Sequence, residues 1–61
     1  MRLKELRLAK GVTQLMVAKE IGCSKSAYAH YERNEREPDI AMLKSLSRYF
    51  NESIDYILCN E

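Results

Sequence analysis

Between positions 25 and 33 the run Lys-Ser-Ala-Tyr-Ala-His-Tyr-Glu-Arg sets two kinds of side chain at helical spacing. Ser26, Ala29, His30 and Arg33 fall on one face, and Tyr28, Tyr31 and Glu32 on the opposite one. The first face offers a hydroxyl, an imidazole and a guanidinium around small methyl groups, so it can exchange hydrogen bonds with a surface that approaches closely. As a metal ligand His30 has no partner four residues away, and as a general base it has no paired nucleophile. Hydrogen bonding to a partner is the chemistry that remains. The elements that must hold this face lie just upstream. Gln14, Val17, Ala18 and Ile21 form a helical stripe, Gly22 is free to adopt positive φ, and Ser24 can cap the helix that follows. Two short helices joined at Gly22-Cys23 make a helix-turn-helix, a unit that usually lays its second helix in the DNA major groove.

Charge is arranged to suit that partner. The net charge is only +1, yet up to Arg33 there are seven basic residues against three acidic, and from Asn34 onward three against six. The basic half is the helix-turn-helix half, as phosphate binding requires. A chain of 61 residues with 46% hydrophobic residues fits one small helical domain spanning residues 1–61. It is too apolar for a disordered tail and very small for an enzyme with a substrate cleft. There is no nucleophile–base pair, metal-ligand spacing or glycine-rich phosphate loop, so neither an enzymatic activity nor a cofactor is expected. Cys23 and Cys59 are too far apart for a Cys-x-x-Cys site, and two lone thiols suit a reducing cytoplasm. No apolar run approaches the ~18–20 residues of a membrane span, and the first residues alternate charge with leucine, unlike a signal peptide.

The spacing predicts five helices and no strands. The first covers residues 2–10, with Leu3 and Leu6 inward and Gly11 closing it. Thr13 caps the second, and Gln14 stands at its N-terminus, where free N–H groups and the helix dipole favour a phosphate oxygen. The third runs from Lys25 to about Arg33. Arg33 points outward toward phosphate, while Tyr28 and Tyr31 enter the core. Asn34 tolerates the left-handed conformation, and Pro38 forbids continuation. Asp39 caps a fourth helix with Ile40, Leu43, Leu46 and Phe50 on its buried stripe, reaching Asn51. Ser53 caps a short fifth, with Ile54, Ile57 and Leu58 inward.

Taken together, Arg2-Leu-Lys-Glu-Leu-Arg7, Gly11-Val-Thr-Gln14, Ala18, Ile21-Gly-Cys-Ser24, Tyr31-Glu-Arg33, Arg36-Glu-Pro38 and Ser53-Ile-Asp-Tyr-Ile-Leu58 resemble the Cro/CI-type, or XRE, helix-turn-helix regulators along essentially the whole chain. The resemblance implies a compact five-helix domain of the lambda-repressor-like type, acting as a homodimer on a two-fold-related operator. It implies a cytoplasmic, nucleoid-associated protein, bacterial or phage-encoded. By position it implies base contacts at Lys25, Ser26, Ala27 and His30, and backbone contacts at Gln14, Asn34 and Arg36. The residue types are suited: lysine reaches guanine O6/N7 or phosphate, serine donates or accepts, and alanine can pack on a thymine methyl. The same likeness brings Arg7 of helix 1 against Glu32 as a structural ion pair, and makes Tyr56, Leu58 and Cys59 candidates for the dimer surface. Asn34 stands where glycine is common, Tyr28 where a smaller aliphatic is common, and Leu15 and Met16 where charges are common.

Two functions from different classes compete. One is a sequence-specific double-stranded DNA-binding regulator, most simply a repressor, with neither a small-molecule ligand nor a membrane involved. The other is a protein-interaction or antitoxin-type module on the same fold, using an apolar patch at Leu8, Leu15 and Met16. Salt separates them, because phosphate contacts weaken steeply as salt rises and apolar docking does not.

Overall fold

The computed structural model describes residues 1–59. Five α-helices follow one another: α1 (Leu3–Lys10), α2 (Gln14–Ile21), α3 (Lys25–Glu32), α4 (Ile40–Phe50) and α5 (Ile54–Leu58), with no strand among the described residues. This is the all-α, lambda-repressor-like arrangement expected. Side-chain oxygens cap four of the helix starts. Thr13 accepts from the N–H of Met16 at 3.1 Å, Ser24 from Ala27 at 3.0 Å, Asp39 from Met42 at 2.8 Å and Ser53 from Tyr56 at 3.0 Å. Each satisfies one of the N–H groups that a helix start leaves without an intrahelical partner. Helix α1 starts at Leu3, one residue later than expected, and Arg2 precedes it without a side-chain cap.

The first four helices share one way of stopping. After each, a residue turns left-handed and the next N–H reaches back to a carbonyl five positions earlier. Gly11 (φ 74°) brings Val12 N to Arg7 O, and Gly22 (φ 81°) brings Cys23 N to Ala18 O. Asn34 (φ 59°) brings Glu35 N to His30 O at 3.0 Å, and Asn51 (φ 55°) brings Glu52 N to Ser47 O. Asparagine tolerates this conformation better than other side chains, which accounts for its use in place of glycine. The chain direction is therefore reset by local chemistry within one or two residues. Helix α3 accordingly ends at Glu32, and Arg33 lies just past it.

Every helix contributes to one core, formed by Leu3, Val17, Ala18, Ile21, Tyr28, Tyr31, Leu46 and Ile57. Helix α2 packs on α3 and α4, α4 on α5, and α1 on α3 and α4. Complete burial of one aliphatic side chain contributes about 1.5–3 kcal/mol, so removing one is a large loss for so small a domain. Two expectations about the core are corrected. Ile40 is 70% exposed, because the first turn of α4 projects past the core cluster and inward packing begins at Met42. Ile54 and Leu58 are half-buried, and in α5 only Ile57 is fully enclosed.

Candidate nucleic-acid interface

The inner side of α3 is fixed by one carboxylate. Glu32, with its side chain 4% exposed, receives Arg7 Nε at 2.6 Å and Arg7 Nη2 at 3.4 Å. Gln14 Nε2 donates to its other oxygen at 3.1 Å, so α1, the start of α2 and the end of α3 meet at Glu32. Arg7 also donates to the carbonyl of Val12 at 3.2 Å, which ties in the loop between α1 and α2. Burial alone would raise the Glu32 carboxyl, but the hydrogen bonds from Arg7 and Gln14, with the Tyr28 hydroxyl close by, outweigh it and hold the group below the usual carboxylate range. The Glu32 hydrogen bond raises the Arg7 guanidinium against its own desolvation. Tyr28 is fully buried, and its phenol is pushed up by desolvation and then by the neighbouring Glu32. Its hydroxyl lies by that carboxylate outside good hydrogen-bond geometry. The phenol is therefore a neutral group beside the ion pair.

The outer side of α3 opens into a shallow polar concavity of about 240 Å³ lined by Gln14, Lys25, Ser26, Ala29, His30 and Arg33. Five of the eight residues expected to face DNA are thus gathered in one depression. Ala29, expected to stand outward with them, is 9% exposed. It has no atoms beyond Cβ, so it sits low among longer side chains. Gln14 also differs from expectation in detail. Its carboxamide donor faces inward to Glu32, and what α2 presents at that point is the backbone N–H group of its first turn. Ala27 is half-buried, with its N–H held by Ser24, while Asn34 and Arg36 lie exposed in the loop after α3. Asn34 Oδ1 accepts from the amino group of Met1 at 3.3 Å.

A residue absent from the expected set lies at the rim. Glu35 Oε1 is 2.8 Å from His30 Nδ1 and accepts from Arg33 Nε at 2.9 Å. Its carboxyl is held below the usual range by the His30 and Arg33 contacts. The signal that could have located it is Asn34: a left-handed residue after the helix returns the next residue to the carbonyl of position 30. That closure carries the Glu35 side chain back beside the imidazole.

Leu8, Leu15 and Met16 are 60%, 47% and 49% exposed. Leu15 lines an open groove with Gln14 and Lys25, beside the concavity. Near the C-terminus, Tyr56 is half-buried under the Arg2 guanidinium, 4.2 Å from the ring centroid, and Arg2 also donates to the Tyr56 carbonyl at 3.3 Å. Leu58 is half-buried and Cys59 exposed, and neither cysteine is in a disulfide. Among the described residues no three histidine, cysteine or acidic side chains cluster as a metal site, and no helix is long and apolar enough to cross a membrane.

Comparison with known proteins agrees with this geometry. A helix-turn-helix family model matches residues 3–57. The uncharacterized HTH-type transcriptional regulator YobD of Bacillus subtilis is 40% identical over 57 residues, covering 93% of this chain and 51% of that protein. ImmR of the same organism, an HTH-type transcriptional regulator, is 40% identical over 57 residues, 93% of this chain and 45% of its own length. BcrR of Enterococcus faecalis, an HTH-type transcriptional activator, is 32% identical over 60 residues, 98% of this chain and 29% of its own. The chain thus spans about half the length of the first two, and less of BcrR. No solved structure matches it. With the capped α2–turn–α3 pair, the buried face of α3 and the family match over residues 3–57, the chain belongs to the XRE-type helix-turn-helix family.

Proposed function

We propose that the chain binds double-stranded DNA in a sequence-specific manner and regulates transcription, most simply as a cytoplasmic repressor that occludes polymerase. The observation that carries this reading is the single concavity that gathers Gln14, Lys25, Ser26, His30 and Arg33 on the outer side of α3. With α3 in the major groove, Lys25, Ser26, Ala27 and His30 face base edges. Gln14, through the N–H groups of its helix end, and Arg33, Asn34 and Arg36 face the sugar-phosphate backbone. The relatives named as transcriptional regulators support the same reading. One recognition helix reads few base pairs, so binding as a homodimer to two half-sites about one helical turn apart supplies the missing specificity. Tyr56, Leu58 and Cys59 are the proposed dimer contacts, and the Arg2–Tyr56 stack places Arg2 beside them.

The test is an amide chemical-shift titration with a mixed-sequence duplex at low salt, repeated at higher salt. Shifts concentrated at Gln14, residues 25–30 and residues 34–36 that fade with salt are the expected result. Stationary amides there would overturn the reading. Exposure of Leu8, Leu15 and Met16 favours a second one, docking of a protein partner on that side. Its signature is a partner whose affinity persists at high salt. Repression is tested separately, by a reporter behind the selected operator, since BcrR is named an activator.

A further inference from the structure

His30 lies on the face proposed to read bases, and its ring is already committed on one side. Nδ1 is 2.8 Å from Glu35 Oε1. A carboxylate is only an acceptor, so a nitrogen lone pair facing it at that distance would be repelled. The contact is favourable when Nδ1 carries the hydrogen. Arg33 Nη2 also approaches Nδ1, but at 3.5 Å, and its Nε is already spent on the same Glu35 oxygen at 2.9 Å. The nearer carboxylate therefore decides the tautomer. Glu35 is held in place by two ties: its carboxylate accepts from Arg33 Nε, and its own N–H donates to the His30 carbonyl at 3.0 Å through the left-handed Asn34. Among the described residues nothing hydrogen-bonds His30 Nε2, and the ring lines the outer concavity with Lys25, Ser26 and Arg33.

We propose that Glu35 is a positioning residue for base recognition: by holding His30 as the Nδ1–H tautomer, it leaves Nε2 as a hydrogen-bond acceptor directed to the amino group of adenine or cytosine. In the major groove only adenine N6 and cytosine N4 present donors, whereas guanine O6/N7 and thymine O4 are acceptors. A neutral His30 so held matches the first pair and is mismatched to the second. The proposal rests on the DNA-binding reading above, and its test separates the two.

The tautomer is measured first, on the free protein at a pH where His30 is neutral, from long-range proton–nitrogen correlations of the imidazole. Nδ1–H is expected in the wild type, with a shift toward Nε2–H in Glu35→Ala. An Nε2–H wild type overturns the proposal without touching DNA binding. Selection from a pool of random duplexes follows, with wild type, His30→Ala and Glu35→Gln. One base position should favour adenine or cytosine over guanine by about two- to tenfold, the size of one neutral hydrogen bond. That preference should flatten in His30→Ala and broaden in Glu35→Gln, whose amide can both accept from and donate to Nδ1. Enrichment of a motif whose His30-dependent position prefers guanine or thymine, or has no preference, overturns the proposal and keeps the DNA reading. If no duplex is enriched and none binds, both fall.

Discussion

At Glu32, the strength of the Arg7 contact follows from burial. The two side chains are 14% and 4% exposed, close to the regime in which removing one partner of an ion pair costs about 3–5 kcal/mol, and far from the exposed regime of about 0–1. Glu32→Ala is therefore expected to destabilise by about 3 kcal/mol in urea unfolding, leaving Arg7 and Gln14 with unpaired donors. Its pH dependence has a definite sign. The carboxyl is lower in the folded state than its ordinary value of 4.5, so its contribution is fully present above that value and is lost as pH falls through the depressed one. Wild-type stability should decline with acidification below about pH 4.5, and Glu32→Gln should flatten that slope. In the loop after α3, Arg36→Ala is expected to weaken DNA binding about equally for all sequences and to reduce the salt slope by about one.

At the level of elements, the turn that sets α3 against α2 depends on Gly22 and Ser24. A Cβ added at Gly22 would meet nothing within 4 Å, so Gly22→Ala is penalised only by its φ of 81°, by about 1–2 kcal/mol. Ser24→Ala removes the cap on Ala27 N and should cost about 1 kcal/mol. Thermal unfolding of the two variants checks both. These features are legible in sequence because caps and left-handed stops are local: Thr13, Ser24, Asp39 and Ser53 could each be picked out from their neighbours alone. The packing of helix ends is not local. Ile40 has the spacing of a core residue, and its exposure depends on where the other helices stop covering α4. Ala29 has the spacing of an outward residue, and it is sunk by the length of the side chains around it. Glu35 was missed for a related reason: its approach to His30 requires the geometry of the turn at Asn34 as well as the residue types.

As a whole the molecule is 27 × 23 × 18 Å, with a core that draws at least one residue from each helix. Leu46, fully buried in α4, is expected to cost about 2–5 kcal/mol on replacement by alanine, enough to unfold much of the population of a marginal domain, as circular dichroism would report. The weakest element by length is α5, whose five residues could not remain helical alone. It is held by the burial of Ile57 and by the hydrogen bond from Arg2 N to Ile57 O at 2.9 Å, reinforced by the Arg2–Tyr56 stack. That bond clasps the backbone just before α1 to the last turn of α5. Neither segment can fray without releasing the other, so the amide hydrogens of α1 and α5 should exchange with solvent as one cooperative unit, and Tyr56→Ala should accelerate both together.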